Sequence, residues 1–159
     1  MLILGIDPGL LVSGWCVLER KRSWSVVDHG KLTTPCNVKT GPDAVDRQID
    51  LFKAMINWRI GLLWIDACAI EYQGPRRSNP DGYLVAELAG SMREVWSHFT
   101  DTDADMVTRN QALRAVCAAR QRKTERAANA ALKMMGIDLP NQHERDAAIV
   151  AVACGRRSA

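Results

Sequence analysis

MLILGIDPG, residues 1 to 9, is an apolar run that stops at an aspartate, with a proline and a glycine directly behind it. Leu2 to Ile6 reads as a buried strand. A carboxylate at the tip of such a strand costs free energy unless something positive meets it there. The same ending recurs further along. Leu62 to Ile70 is short and nearly all apolar, as expected of a strand covered on both faces, and it closes on Glu71.

The elements around these two strands follow from periodicity. Val12 to Leu18 predicts a second strand, and Trp24-Ser25-Val26-Val27 begins a third. The Lys21-Arg22-Ser23 turn between them makes an antiparallel hairpin. From Asp43 a helix follows, with Val45, Ile49, Phe52 and Ile56 on one face. Another carries Leu84, Leu88, Met92, Val95 and Phe99. Asp105 to Val107 suits a short last strand. Helical patterns then run from about Asn110 to Ala119 and from about Thr124 to Met135, closed by Gly136 and Pro140. A final helix runs from near Gln142 to about Cys154. Strands first, then strands alternating with helices, predict an α/β layer fold with a mixed sheet. At 159 residues the chain is read as one domain, 1–159.

Composition narrows the class. An apolar share of 47% with 25% charged residues is that of a globular chain with a real core. No apolar stretch reaches membrane-spanning length and the first residues lack the basic start of a signal peptide, so the expected location is the cytoplasm, with no membrane partner. The five cysteines are odd in number, scattered and without a CxxC, which gives zinc no support. Trp15, Trp58 and Trp64 lie in apolar segments and are expected in the core. His29 and His98 lack ligand partners at useful spacing. Asp101, Asp103 and Asp105 mimic the start of a calcium loop, but Met106 stands where its glycine belongs.

The last helix supplies what the strand tips lack. His143 and Asp146 are three apart and share one helical face, which Ala147, Val150 and Cys154 continue. That face should lie on the sheet and point both side chains at the strand ends. Glu144 is rotated by about a hundred degrees and is expected in solvent. Taken singly, Asp-Pro-Gly is good turn chemistry, and an aspartate at a helix start serves capping. Three separate apolar elements ending in ligand-type residues make a pattern. Several carboxylates share a buried site only with cations, and hard oxygen donors favour Mg²⁺, or Mn²⁺ where an imidazole joins.

The start ILGIDPGLLVSGW, the AIE of residues 69 to 71 and HERDAAIVAVA of 143 to 153 closely resemble the RuvC-type Holliday junction resolvases, in order and separation across nearly the whole chain. The resemblance implies a ribonuclease-H-like fold, with a mixed five-stranded sheet and helices on both faces. It implies a homodimeric endonuclease that resolves four-way DNA junctions by symmetric paired nicks, leaving a 5′-phosphate and a 3′-hydroxyl. The family's catalytic and metal-binding tetrad corresponds to Asp7, Glu71, His143 and Asp146. Its cofactor would be Mg²⁺, with Mn²⁺ as an alternative, at two ions per active site. Asp7 would bridge them, with Glu71 and Asp146 each holding one. His143 stays open between ligand and base.

DNA contacts are expected from Arg109, Arg114, Arg120, Arg122, Lys123 and Arg126, a basic run broken by Glu125 alone, in a region the family turns toward DNA. Arg76 and Arg77, just past Glu71, suit backbone clamps. The chain also departs from the family. Where an aromatic that stacks at the crossover is common, this run reads Glu71-Tyr72-Gln73-Gly74, so Gly74 takes that place. Tyr72 is read either as a substitute stacking group or as packing. Leu10 and Leu11 replace more polar residues. The alternatives are a relaxed nuclease of branched DNA or RNA hybrids, and a non-catalytic junction-binding module. An actin-like kinase would need two domains and about twice the length. The dimer is supported further by a small-residue stripe, Ala86, Ala89 and Gly90; a branch-migration helicase is a further partner the family suggests.

Overall fold

A computed structural model describes residues 1–35, 40–61, 63–74, 80–117 and 123–157. Five strands form one mixed sheet in the order β3-β2-β1-β4-β5. They are β1 (Leu2–Asp7), β2 (Val12–Arg20), β3 (Trp24–Thr33), β4 (Ala67–Tyr72) and β5 (Asp105–Thr108). The first three pair antiparallel, as the hairpin turn predicts. β4 returns parallel to β1, and β5 parallel to β4. The predicted fold class holds.

Side chains alternate across the sheet, so each face collects its own core. On one face α1 (Pro42–Met55) and α2 (Pro80–Thr100) cover Leu4, Ile6, Val17 and Ile70. On the other, α3 (Arg109–Val116), α4 (Glu125–Met134) and α5 (Gln142–Arg157) cover Ile3, Leu18, Ala69 and Val107. The strip beneath α5 is made of small residues. A Cβ on Gly5 would strike the carbonyl of Ala147, and one on Gly14 the carbonyl of His143. These two glycines let the helix backbone rest almost on the sheet.

Several boundaries differ from the sequence reading. β4 starts at Ala67, and 63–66 are irregular, so Glu71 sits inside the strand and Tyr72 ends it. α3 ends at Val116, where Cys117 turns extended. α5 runs on to Arg157. Trp15 is core at 3% exposed, but Trp58 and Trp64 are 84% and 93% exposed, against expectation. Trp58 falls in a single π-helical turn, Ile56–Ile60, that follows α1 and carries Ile56 inward while leaving the indole outside. Trp64 lies in the irregular approach to β4, where no alternation places it. Asp103, from the apparent calcium loop, pairs with Arg93, which holds its carboxyl down at about 2.

Candidate active site

The register of the sheet places the first two carboxylates. Ile6 is paired with Ile70 in the parallel β1–β4 ladder, so the next residues, Asp7 and Glu71, stand side by side. Both share parity with Gly5 and Ala69, the α5 side of the sheet. The glycine notch brings the first turn of α5 over them. His143 Nδ1 lies 2.8 Å from Asp7 Oδ2. Asp7, Glu71, His143 and Asp146 line one cleft of about 540 Å³, together with Pro8, Tyr72, Gln73, Gly74, Thr108, Arg109, Asn110 and Glu125.

The carboxylates are buried, at 8% exposure for Asp7, 2% for Glu71 and 7% for Asp146. Burial raises Asp7, against the lowering effect of its hydrogen bond with His143. Burial pushes Glu71 up to about 7, against the neighbouring Arg109 charge. The bond to Asp7 raises His143 in turn.

The cation the sequence asked for at the strand tips is present, and it is Arg109. Its guanidinium reaches Glu71 Oε2 at 3.0 Å, Asp146 Oδ1 at 2.9 Å and Glu125 Oε1 at 2.8 Å. Arg109 is the first residue of α3, whose start is fixed by a capping box between Thr108 and Gln111. The sequence grouped Arg109 with the DNA-facing basic run; the structure seats it among the acids. Arg114, Lys123 and Arg126 are exposed. Arg76, Arg77, Arg120 and Arg122 lie outside the described residues. Tyr72 lines the cleft and packs against the α1–α2 core. At Gly74 an added Cβ would meet no atom of the described residues within 4 Å.

Supporting contacts went unread in the sequence. Gln142 donates from Nε2 to Asp146 Oδ1 at 2.8 Å. Ser13, fully buried, accepts from Gly9 N at 3.0 Å and donates to Gln48 Oε1 at 2.8 Å, while Gln48 donates to the Leu32 carbonyl. That chain ties the Asp-Pro-Gly turn to β3 and α1. Glu144 is 4% exposed, contrary to expectation: it accepts from Asn141 N and Nδ2 at 3.3 and 3.1 Å and pairs with His29 at 3.4 Å. The signal was present, since Asn141-Gln142-His143-Glu144 has the spacing of a capping box. His29 Nδ1 makes no hydrogen bond among the described residues.

The donor chemistry of the cleft, three carboxylates and an imidazole, fits a hard divalent cation. Among the described residues, no three of these groups already converge on one ion position. Arg109 stands between Glu71 and Asp146 instead.

The fold is α/β of the ribonuclease-H-like class, with the acidic cleft at the carboxyl ends of β1 and β4. Within that class the chain is similar to RuvC. T. thermophilus RuvC in complex with Holliday junction substrate superposes with a TM-score of 0.79 at 16% identity, covering 99% of this chain and 95% of that one. The yeast mitochondrial Holliday junction resolvase Ydc2 gives 0.65 at 11% identity, covering 95% and 76%. By sequence, the crossover junction endodeoxyribonuclease RuvC of Halothermothrix orenii is 34% identical over 58 residues, 36% of this chain and 33% of that protein. That of Clostridioides difficile is 29% identical over 91 residues, 57% and 51%. The matched stretches thus span a third to a half of these curated relatives. No protein-family model matches the chain.

Proposed function

We propose that this chain is a metal-dependent endonuclease that resolves four-way DNA junctions by paired nicks. The observation that carries the reading is one cleft in which Asp7, Glu71, Asp146 and His143 meet, drawn from β1, β4 and α5. Asp7, Glu71 and Asp146, with His143 beside them, are the residues that would hold Mg²⁺ or Mn²⁺, two ions by analogy with the relatives. A bound ion there would supply an activated water and stabilise the leaving oxygen of a phosphodiester.

The chain's own residues supply the rest. His143 bonds Asp7 through Nδ1 while its ring stays 46% exposed to the cleft, a placement suited to holding or passing a proton at the attacked phosphate. Asp7 orients that ring. Gln142 fixes the Asp146 carboxylate, and Gln73 Nε2 lies 3.4 Å from Glu71 Oε1. Arg114, Lys123 and Arg126 are exposed and suit phosphate contact, as do Arg120, Arg122, Arg76 and Arg77 by sequence. A homodimer, branched DNA as partner and a branch-migration helicase belong to the same proposal. No described helix is long and apolar enough to cross a membrane.

Gly74 favours a second reading, a relaxed nuclease of the same fold. With glycine where relatives commonly place an aromatic, nothing at that position stacks on a crossover. Competition among labelled four-way junctions, flaps, forks and RNA–DNA hybrids separates the two. Preferential cutting of junctions supports the resolvase; equal cutting of all branched substrates supports the relaxed nuclease. Binding without cutting in either Mg²⁺ or Mn²⁺ would leave a junction-binding module.

A further inference from the structure

We infer that Arg109 is a built-in counter-cation that competes with divalent metal for Glu71 and Asp146, with Glu125 as the seat that keeps its guanidinium once metal displaces it. The inference rests on the metal-dependent reading of the cleft and concerns how that cleft is held before metal arrives.

The geometry is that of a bridge. One nitrogen of the guanidinium lies on Glu71, and the other is shared between Asp146 and Glu125. Glu71 and Asp146 are almost fully buried, and two such carboxylates, once ionised, would weigh heavily against the folded state without a counter-ion. Arg109 supplies that counter-ion from within the chain. Its planar fork suits two carboxylates better than an ammonium would. A metal on Glu71 and Asp146 needs the same oxygens, so the two cations exclude each other by mass action.

The exit route is also in place. The backbone of Arg109 is pinned at the start of α3 by the Thr108–Gln111 box, so leaving is a movement of the side chain alone. Glu125 opens α4 at the wet rim, 62% exposed, already bonded to the same guanidinium nitrogen as Asp146. Displacement breaks the contacts with Glu71 and Asp146 and keeps the contact with Glu125. The cation then stays at the mouth of the cleft, where the phosphate of a substrate would lie. An arginine that served only DNA contact would have no reason to be three-quarters buried among carboxylates.

The test is calorimetric titration of the full chain with Mn²⁺ in the absence of DNA, so that no cutting enters the readout. Removing the competitor in Arg109→Gln should tighten Mn²⁺ binding by about tenfold, the size of a typical coupling between competing charges. Removing the rim seat in Glu125→Gln should weaken it by about threefold, because Glu125 shares its guanidinium nitrogen with Asp146 before displacement and is the sole carboxylate partner afterwards, so its contact counts for more once metal is bound. Arg109→Lys, which keeps the charge without the fork, should fall between wild type and Arg109→Gln. A structural or DNA-contact role alone moves none of these in that order. Unchanged or weaker Mn²⁺ binding in folded Arg109→Gln overturns the inference, as does the absence of Mn²⁺ binding in wild type and variant alike. Should Arg109→Gln fail to fold, Glu125→Gln decides: weaker binding supports the competition, and unchanged or tighter binding overturns it. If Arg109→Gln gains Mn²⁺ affinity while the wild type cuts no DNA, the competition stands and the nuclease reading falls.

Discussion

Asp7, Glu71 and His143 all hold protons more tightly in the folded chain than an exposed group would, the carboxyls through burial and the imidazole through its bond to Asp7. The consequence for stability has one sign. Glu71, pushed from an ordinary 4.5 up to about 7, stays protonated when folded over a range in which the unfolded chain has lost that proton. His143 acts the same way: its contribution is complete below its ordinary 6.5 and fades as pH passes its raised folded value. The folded state binds more protons, so metal-free stability falls as pH rises from about 4.5 through 7. Denaturant melts at stepped pH check this, and a stability that rises across that window would contradict the site as described. Gly74 gives a second residue-scale outcome. Because no described residue lies within reach of a Cβ there, Gly74→Phe should fold normally and increase the preference for four-way junctions over flaps, by up to about tenfold for one stacked base. An unchanged ratio in a competition assay would count against the missing aromatic as the source of relaxed selectivity. The four acidic-site residues were legible because each interrupts or ends an apolar pattern. Arg109 was not, since an arginine in a basic run carries no mark of which way it turns. Ser13 and Gln48 were silent for a related reason: a hydrogen bond between residues 35 apart leaves no local trace.

At the scale of elements, the glycine notch decides where α5 begins. Gly5 and Gly14 look in sequence like weak points in two strands, whereas in the fold they are the floor on which His143 and Ala147 rest. Gly14→Ala forces the first turn of α5 off the sheet, at a cost of about 1–3 kcal/mol for an overpacked contact. It should lower the melting temperature and also reduce nicking, because His143 and Asp146 move together with that turn. Retained nicking at reduced stability would show that the site tolerates a shifted helix. Element types were readable from period and length. Boundaries such as the start of β4 and the π-helical turn after α1 were not, because apolar residues there include Trp64 and Trp58, which tertiary packing leaves in solvent.

At the scale of the whole molecule, the sheet order sets the site. Two strands that begin far apart in sequence, β1 and β4, become neighbours only through the parallel crossover, and α5 crosses above them. The alternation of strands and helices made that layer arrangement predictable; the register that aligns Asp7 with Glu71 needed the structure. Paired nicking requires two such clefts, hence two copies. Of the small-residue stripe, Ala89 is buried in the core and unavailable to a second copy, while Ala86 and Gly90 are half-buried. Sedimentation at micromolar concentration should give a dimer, and a clean monomer would contradict symmetric incision. Metal-dependent resolution by these carboxylates is tested by nicking of a labelled, mobile four-way junction in Mg²⁺ by wild type, Asp7→Asn and Asp146→Asn. The wild type should give symmetric paired nicks, reduced at least about a hundredfold in both variants while junction binding persists. Undiminished cutting by either variant, or binding without cutting by the wild type, would contradict a metal-dependent resolvase.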